Sequence, residues 1–527
     1  MKINFFFLFI NILFSDYFCT TSQFPIKYND TFNRELSREE RCLNNDIGSI
    51  ITFKIDDDFN SSTQSISKNF LLIRKDLETQ TCLFVESNTN FAESIFDSIW
   101  TTFLYNTPNP NFSNGIKAEE ELLFGLPPSI DGISEVNILL YDFNNESIRG
   151  YFSGNDQIDC ENYNCSNIVY LNADNFMINN IERSLFTLAH EYQHLLHWNS
   201  DPFEGYYLSE TDDEWYLTSP WLNEGLSDLA PSILGLGQRD FSLFLNDSYL
   251  ALDDWPIPGG NINLGPYYAK SALFFQYIFE NYNSDELPLI NLIFSSQLQG
   301  LESLQNILNL IDIDFRDFYV NWLIKNITGS YSTINDDIFQ HPNIEINNNN
   351  NTAIDFTYFI NDFKKYSYFI FNLPKNNLYD DVDVRLSNNY YKIIDSNFGD
   401  LGDNLELTNE NIIYNNAKLV IFSDNHVFDT DLKLSMTFKQ NIDKLIIFPN
   451  PTYDNNLNFI YKDAFVNDYI NINIYSINGS LIEYINIDKN DYLYNNLNSF
   501  KIDYNKYSSG IYIIKIGQYS ELISIFK

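Results

Sequence analysis

Read for the spacing of apolar and polar positions, the chain changes character twice. Between residues 41 and 88 the apolar positions fall in short strand-like runs: Ile50-Ile-Thr-Phe-Lys-Ile, Phe70-Leu-Leu-Ile-Arg and Cys82-Leu-Phe-Val-Glu. Phe91 to Leu104 switches to helical spacing. Val136-Asn-Ile-Leu-Leu-Tyr-Asp and Ile168-Val-Tyr-Leu-Asn then read as buried strands flanking Ile148-Arg-Gly-Tyr-Phe, because short apolar runs bounded by polar residues suit a covered strand. From Leu185 to His197 the period is helical again, with Leu185, Leu188, Ala189, Tyr192, Leu195 and Leu196 in one stripe. Asn179, with Glu182 three residues on, reads as the cap of that helix. Gly265 to Ile278 opens a further helix with Pro266 in its first turn, and Leu301 to Asn326 reads as closing helices.

A polar stretch ending in the run Asn347–Asn351 marks a linker. Past it the period drops to two: Tyr366-Ser-Tyr-Phe-Ile-Phe, Val382-Asp-Val-Arg-Leu, Lys418-Leu-Val-Ile-Phe and Leu432-Lys-Leu-Ser-Met-Thr-Phe alternate as strands of a β-sandwich. The last stretch holds Phe448-Pro-Asn-Pro451, a strand and tight turn at Ile472 to Gly479, and a late strand in Ser509-Gly-Ile-Tyr-Ile-Ile-Lys-Ile. The patterning predicts a multidomain chain. An α+β domain over 40–330 is followed by all-β sandwich domains over 350–440 and 445–527.

Length supports that division, since 527 residues exceed one ordinary domain. The net charge of −40 argues against nucleic acid or an anionic membrane as partner. Met1 to Phe14 places one Lys ahead of an apolar run too short to span a bilayer, so residues 1–20 read as a secretory signal peptide. No other apolar run is long enough for a transmembrane segment. Without Cys19, which leaves with the signal, Cys42, Cys82, Cys160 and Cys165 remain. An even count in an exported chain predicts two disulfides, Cys160–Cys165 across a short loop and, by exclusion, Cys42–Cys82.

The candidate chemistry sits in the helix at 185–197. His190-Glu191-Tyr-Gln-His194 is an H-E-x-x-H motif. On a helix the two imidazoles stand one turn apart on one face, where both can bind one metal ion. Glu191 is rotated by about 100° from His190, which suits it to a water on the metal rather than to the metal. Five His in 527 residues make a chance match rare, on the order of 0.002–0.005 per chain. A zinc site is the better reading. The other three imidazoles are assigned no such role: His197 to rim or packing, His341 and His426 to the surface.

Thirty residues past His194, Trp221-Leu-Asn-Glu-Gly-Leu-Ser-Asp-Leu-Ala resembles the N-E-x-x-S-D stretch of thermolysin-like gluzincin metallopeptidases. That resemblance implies an α+β zincin-like fold and a His2Glu zinc site of His190, His194 and Glu224, with one position left for water. It also implies that Asp228 accepts a hydrogen bond from a ligand His. Tyr268-Ala-Lys-Ser is similar to the Y-x-K-G of clan members whose Tyr stabilises the tetrahedral intermediate, with Ser271 in place of the Gly. Packing is the competing role for Tyr268. Ile130-Asp-Gly-Ile-Ser-Glu-Val-Asn-Ile-Leu-Leu, the helix to His197 and Trp221-Leu-Asn-Glu-Gly-Leu look most like the secreted hyicolysin-type neutral proteases. Residues 445–527 resemble the C-terminal sorting domain of the type IX secretion system of Bacteroidetes. Together these imply a secreted zinc endopeptidase acting on proteins or peptides, with Glu191 as general base, delivered by the type IX machinery. Two alternatives fit the same residues. One is a surface-binding protein on a degenerate peptidase scaffold, against which the intact Glu191 and three intact ligands weigh. The other is a gluzincin aminopeptidase, whose G-x-M-E-N signature and acidic anchor for a free amine are not identifiable here.

Overall fold

The computed structural model divides the chain into two compact units, Met1–Gln340 and His341–Lys527. It describes residues 26–27, then 42–334 apart from short stretches, chiefly 57–64, 88–92, 130–133, 159–161, 174–179, 203–205, 209–213, 218–219, 246–249 and 257–262. Beyond 340 it describes the strands given below and the turns within 469–488 and 506–525. The expected signal peptide, the Asn347–Asn351 run, His341 and His426 lie outside the described residues.

Unit 1 is built on a mixed six-stranded sheet. A short strand β1 (Ile26–Lys27) precedes β2 (Ile50–Asp56), β3 (Ser65–Asp76), β4 (Thr81–Glu86), β5 (Val136–Tyr141), β6 (Gly150–Phe152) and β7 (Asn167–Asn172). The order across the sheet is β2-β3-β4-β5-β7-β6. The pairs β4–β5 and β5–β7 are parallel and the others antiparallel. Every residue of β5 and β7 is buried, which explains why these strands read as continuous apolar runs. Phe53 of β2 meets Phe70 of β3 and Phe84 of β4 edge to face. Cys42–Cys82 ties the turn before β2 to β4, with Cα atoms 6.1 Å apart, as expected from the cysteine count. Cys165 is also disulfide-bonded, and Cys160 lies outside the described residues.

The helices of unit 1 are α1 (Glu93–Leu104), α2 (Ile116–Phe124), α3 (Asn155–Ile158), α4 (Ile181–Ser200), α5 (Trp221–Ile233), α6 (Ser242–Leu245), α7 (Gly265–Tyr282), α8 (Leu289–Phe294), α9 (Gly300–Leu310) and α10 (Phe315–Thr328). Between α4 and α5 run β8 (Tyr206–Leu208) and β9 (Glu214–Leu217), and β9 pairs with β1. Helix α4 carries the H-E-x-x-H motif and is the centre of the unit. It packs on β6 and β7, on α1 and α2, and on α5. Ser184 to His197 are therefore all buried, so the single apolar stripe expected from the sequence is burial all round. Its cap is Asn180, whose side chain accepts from the Arg183 amide at 3.4 Å. The helix starts one residue later than the Asn179 cap expected, and Asn179 itself lies outside the described residues. Helices α5 and α7 cross closely because residue 225 is glycine: a Cβ there would stand 2.4 Å from Phe275. Trp221 stacks on Phe275 at 5.8 Å in the same seam.

The described elements of unit 2 are all strands. Its first part holds a five-stranded sheet of β10 (Ile344–Glu345), β12 (Tyr368–Asn372), β16 (Ala417–Phe422), β14 (Tyr390–Asp395) and β15 (Gly399–Gly402), in that order. A three-stranded sheet runs β11 (Ala353–Ile360), β17 (Leu432–Lys439), β13 (Asp381–Arg385). The last part holds the sheet β18-β19-β22 (Ile446–Phe448, Asn456–Ile460, Ser499–Asp503) and the sheet β21-β20-β23-β24 (Leu481–Asp488, Tyr469–Ser476, Gly510–Ile516, Tyr519–Ile525). The tight turn between β20 and β21 has Gly479 at φ 83°, a value that favours glycine. Among the described residues, no helix is long and apolar enough to cross a membrane.

Candidate metal centre

Helices α4 and α5 bring three donor atoms to one point. His190 Nε2 and His194 Nε2, one turn apart on α4, are 3.2 Å from each other. Glu224 Oε2, in the first turn of α5, lies 3.3 Å from the former and 3.4 Å from the latter. Four-coordinate metals with bonds of about 2.0–2.1 Å hold their donors about 3.3–3.4 Å apart, so these separations fit such a centre. Glu224 Oε2 is close to both nitrogens yet aligned for a hydrogen bond to neither, and no other described group bonds it. All three side chains are almost fully buried. A buried carboxylate oxygen without a partner is costly. A cation at the common point removes that cost.

The other ring nitrogens are anchored. Asp228, one turn past Glu224, places Oδ1 2.9 Å from His190 Nδ1. The contact falls short of hydrogen-bond alignment, so we read it as an ion-pair contact close to a hydrogen bond. His194 Nδ1 donates to Asn223 Oδ1 at 2.9 Å, and His197 Nδ1 donates to the same oxygen at 2.9 Å. Ser227 Oγ also lies 3.0 Å from His194 Nδ1. These partners assign the tautomers: the Nδ1 atoms face protein acceptors, and the Nε2 atoms of His190 and His194 face the centre.

Burial alone would discharge His190, but the Asp228 and Glu224 carboxylates, with Glu191 nearby, hold it up at about 10. Burial likewise works against the Glu224 charge, and the two imidazoles override it, bringing the group down to about 2. The pocket is thus tuned to keep positive charge beside its carboxylates. His197 is pushed down to about 3 by burial, its Asn223 bond opposing, and it stacks on Phe294 at 4.9 Å. It is a neutral packing histidine that also braces Asn223.

Glu191 is buried, and one ligand atom each from His190, Glu191 and His194 lie within 4.8 Å of one another. Strand β6 runs past it. A Cβ on Gly150 would meet Thr187 Cγ2 at 2.5 Å and Glu191 Cγ at 3.1 Å, so only glycine lets this strand lie so close to the helix. Among the described strands, β6 has no neighbour on its outer side.

The structure therefore brings His190, Glu191, His194, Glu224 and Asp228 together. Tyr268 is 1 % exposed and joins the cluster through Arg239, whose guanidinium lies 4.5 Å above its ring. Trp255 meets Tyr268 edge to face at 4.9 Å. Lys270 of the Y-x-K-S stretch donates to Ala251 O at 2.7 Å and Asp254 O at 2.6 Å, which ties a loop to α7. Two residues went unassigned in the sequence. Asn223 was in view within N-E-x-x-S-D, but nothing there shows that it serves two imidazoles. Arg239, whose Nε donates to Asp228 Oδ2 at 2.7 Å, had no motif to mark it.

Residues 446–525 match the family described as the secretion system C-terminal sorting domain. No curated protein matches the chain. The sorting domain makes the chain cargo of the type IX secretion machinery, exported to the cell surface or the extracellular space.

Proposed function

We propose that this exported chain is a zinc-dependent endopeptidase whose centre is His190, His194 and Glu224, with Glu191 as general base. The observation that carries the proposal is the triangle of His190 Nε2, His194 Nε2 and Glu224 Oε2, with Glu191 on the same helix. Two imidazoles and one carboxylate, with a position left for water, are the donor set of hydrolytic zinc sites. Zinc bound there supplies Lewis acidity toward a water and the scissile carbonyl. Glu191 takes the proton from the attacking water on its carboxylate and passes it to the departing amine. Asn223, Ser227 and Asp228 hold the imidazoles in register for both tasks.

The test separates binding from turnover. Purified protein should carry about one zinc per chain and digest casein, while Glu191→Gln should keep the zinc and lose proteolysis. Wild-type turnover in that variant would overturn the mechanism.

A further inference from the structure

Arg239 lies outside every motif, in the loop that follows α5. That loop turns back through Gly235 (φ 76°) and Gly237 (φ 118°), both in backbone conformations that favour glycine. The turn returns residue 239 to the side of α5 that carries Asp228. There the Arg239 Nε donates to Asp228 Oδ2 at 2.7 Å, while Asp228 Oδ1 faces His190 Nδ1 at 2.9 Å. The guanidinium is held in place by two rings, Phe186 of α4 at 5.5 Å and Tyr268 of α7 at 4.5 Å. Loop, α4, α5 and α7 thus converge on one planar cation.

We infer that Arg239 is a positioning residue for the metal centre, acting through Asp228 on the orientation of His190. The inference rests on the proposed zinc site and deepens it. A carboxylate held by one oxygen alone can rotate about its Cβ–Cγ bond. With Oδ2 fixed by a charge-assisted bond to Arg239, Oδ1 stays directed at His190 Nδ1. The ring is then fixed with Nε2 toward His194 and Glu224. Lysine could supply the charge but not the flat, stacked geometry, since its ammonium is a point charge on a flexible stem. The same cation packs on Tyr268, so the ring proposed to assist turnover shares its support with a metal ligand.

The experiment measures zinc affinity of the full chain by competition with a chromogenic chelator at fixed pH and salt. The proteins are wild type, Arg239→Met, Arg239→Lys, Asp228→Asn and the double variant Arg239→Met/Asp228→Asn. Groups that orient ligands typically contribute 10–100-fold to metal affinity, so Arg239→Met should weaken zinc by about that factor. Because Arg239 acts through Asp228, the double variant should be no weaker than the weaker single. Arg239→Lys should fall between Arg239→Met and wild type, and it serves as the readout where the methionine variant does not fold. Wild-type zinc affinity in both Arg239 variants, or full additivity in the double variant, would overturn the inference. A wild-type protein that binds no zinc, or a His190→Ala protein that binds it as well as wild type, would instead overturn the centre on which it rests.

Discussion

Glu120 gives a prediction that does not depend on what the protein hydrolyses. It sits on α2 one turn after Ile116 and one turn before Phe124, fully buried, and neither carboxylate oxygen has a hydrogen-bond partner among the described residues. Burial raises its pKa well above the usual 4.5, with His190 opposing and Glu121 adding to the rise. The sign of the linkage follows. Below about 4.5 the carboxyl is protonated in both states and is neutral to stability. Above it the unfolded chain releases the proton while the folded chain keeps it, so stability falls as pH rises until the buried group itself titrates. The slope is about 1.4 kcal/mol per pH unit for one proton. Glu120→Gln keeps the shape and removes the titration, so it should match wild type near pH 4 and gain on it as pH rises above 5, by at most about 1.4 kcal/mol per unit. The assay is denaturant unfolding followed by Trp fluorescence at pH 5, 6 and 7, with zinc held constant. All six Trp lie in unit 1, so the signal reports the unit that contains Glu120. A Glu120→Gln advantage that stays flat from pH 5 to 7 would refute the reasoning.

Two further predictions bear on turnover and delivery. If the Tyr268 hydroxyl donates to the developing oxyanion, Tyr268→Phe should lower kcat by about 10²–10³ with KM little changed. Tyr267→Phe is its control, because adjacent helix residues point about 100° apart, and full activity in both variants would assign Tyr268 to packing alone. Removing residues 446–527 should leave casein digestion by the purified protein intact and stop its appearance outside the cell. A truncated protein still recovered at the surface would contradict the role of the sorting domain.

The parts of this molecule that were legible in the sequence are those whose physics is local. His190, Glu191 and His194 stand out because one helical turn is enough to relate them. The strands β4, β5 and β7 stand out because residues buried on both faces leave an unbroken apolar run. Glu224 came into view only through the likeness around Trp221. Arg239 stayed hidden, since its link to Asp228 is made by a turn whose trace in sequence is the pair Gly235 and Gly237. Glu120 was actively disguised. Lys117-Ala-Glu-Glu-Glu121 has the composition of a solvated helix face, yet Lys117, Glu119 and Glu120 are all buried. Charge in a sequence marks a surface only on average. Glu119 is accommodated because its Oε1 accepts from the Asn114 amide at 2.9 Å, and Lys117 because it pairs with Glu121. For Glu120 no described group does the same.

The contrast between Glu120 and the centre beside it bears on which ion the proposed centre would hold. Counted as carboxylates, Glu191, Glu224 and Asp228 bring three negative charges into a buried cluster, and Arg239 returns one positive charge. The His190 imidazolium, held up at about 10, offsets a further charge while no cation is bound. Were the cluster meant to stay without a cation, the simplest remedy is the one Glu120 illustrates, in which an isolated carboxyl keeps its proton. Glu224 goes the other way: its two imidazoles hold it ionised, with its oxygen aimed at the same point as theirs. Oxygen-preferring divalent ions such as calcium and magnesium are poorly served by two imidazoles, and zinc is well served by them. Charge, spacing and donor type are all compatible with the zinc proposed for this centre. Each can be broken alone: Arg239→Met disturbs the charge, His190→Ala the spacing, and Glu224→Gln the donor.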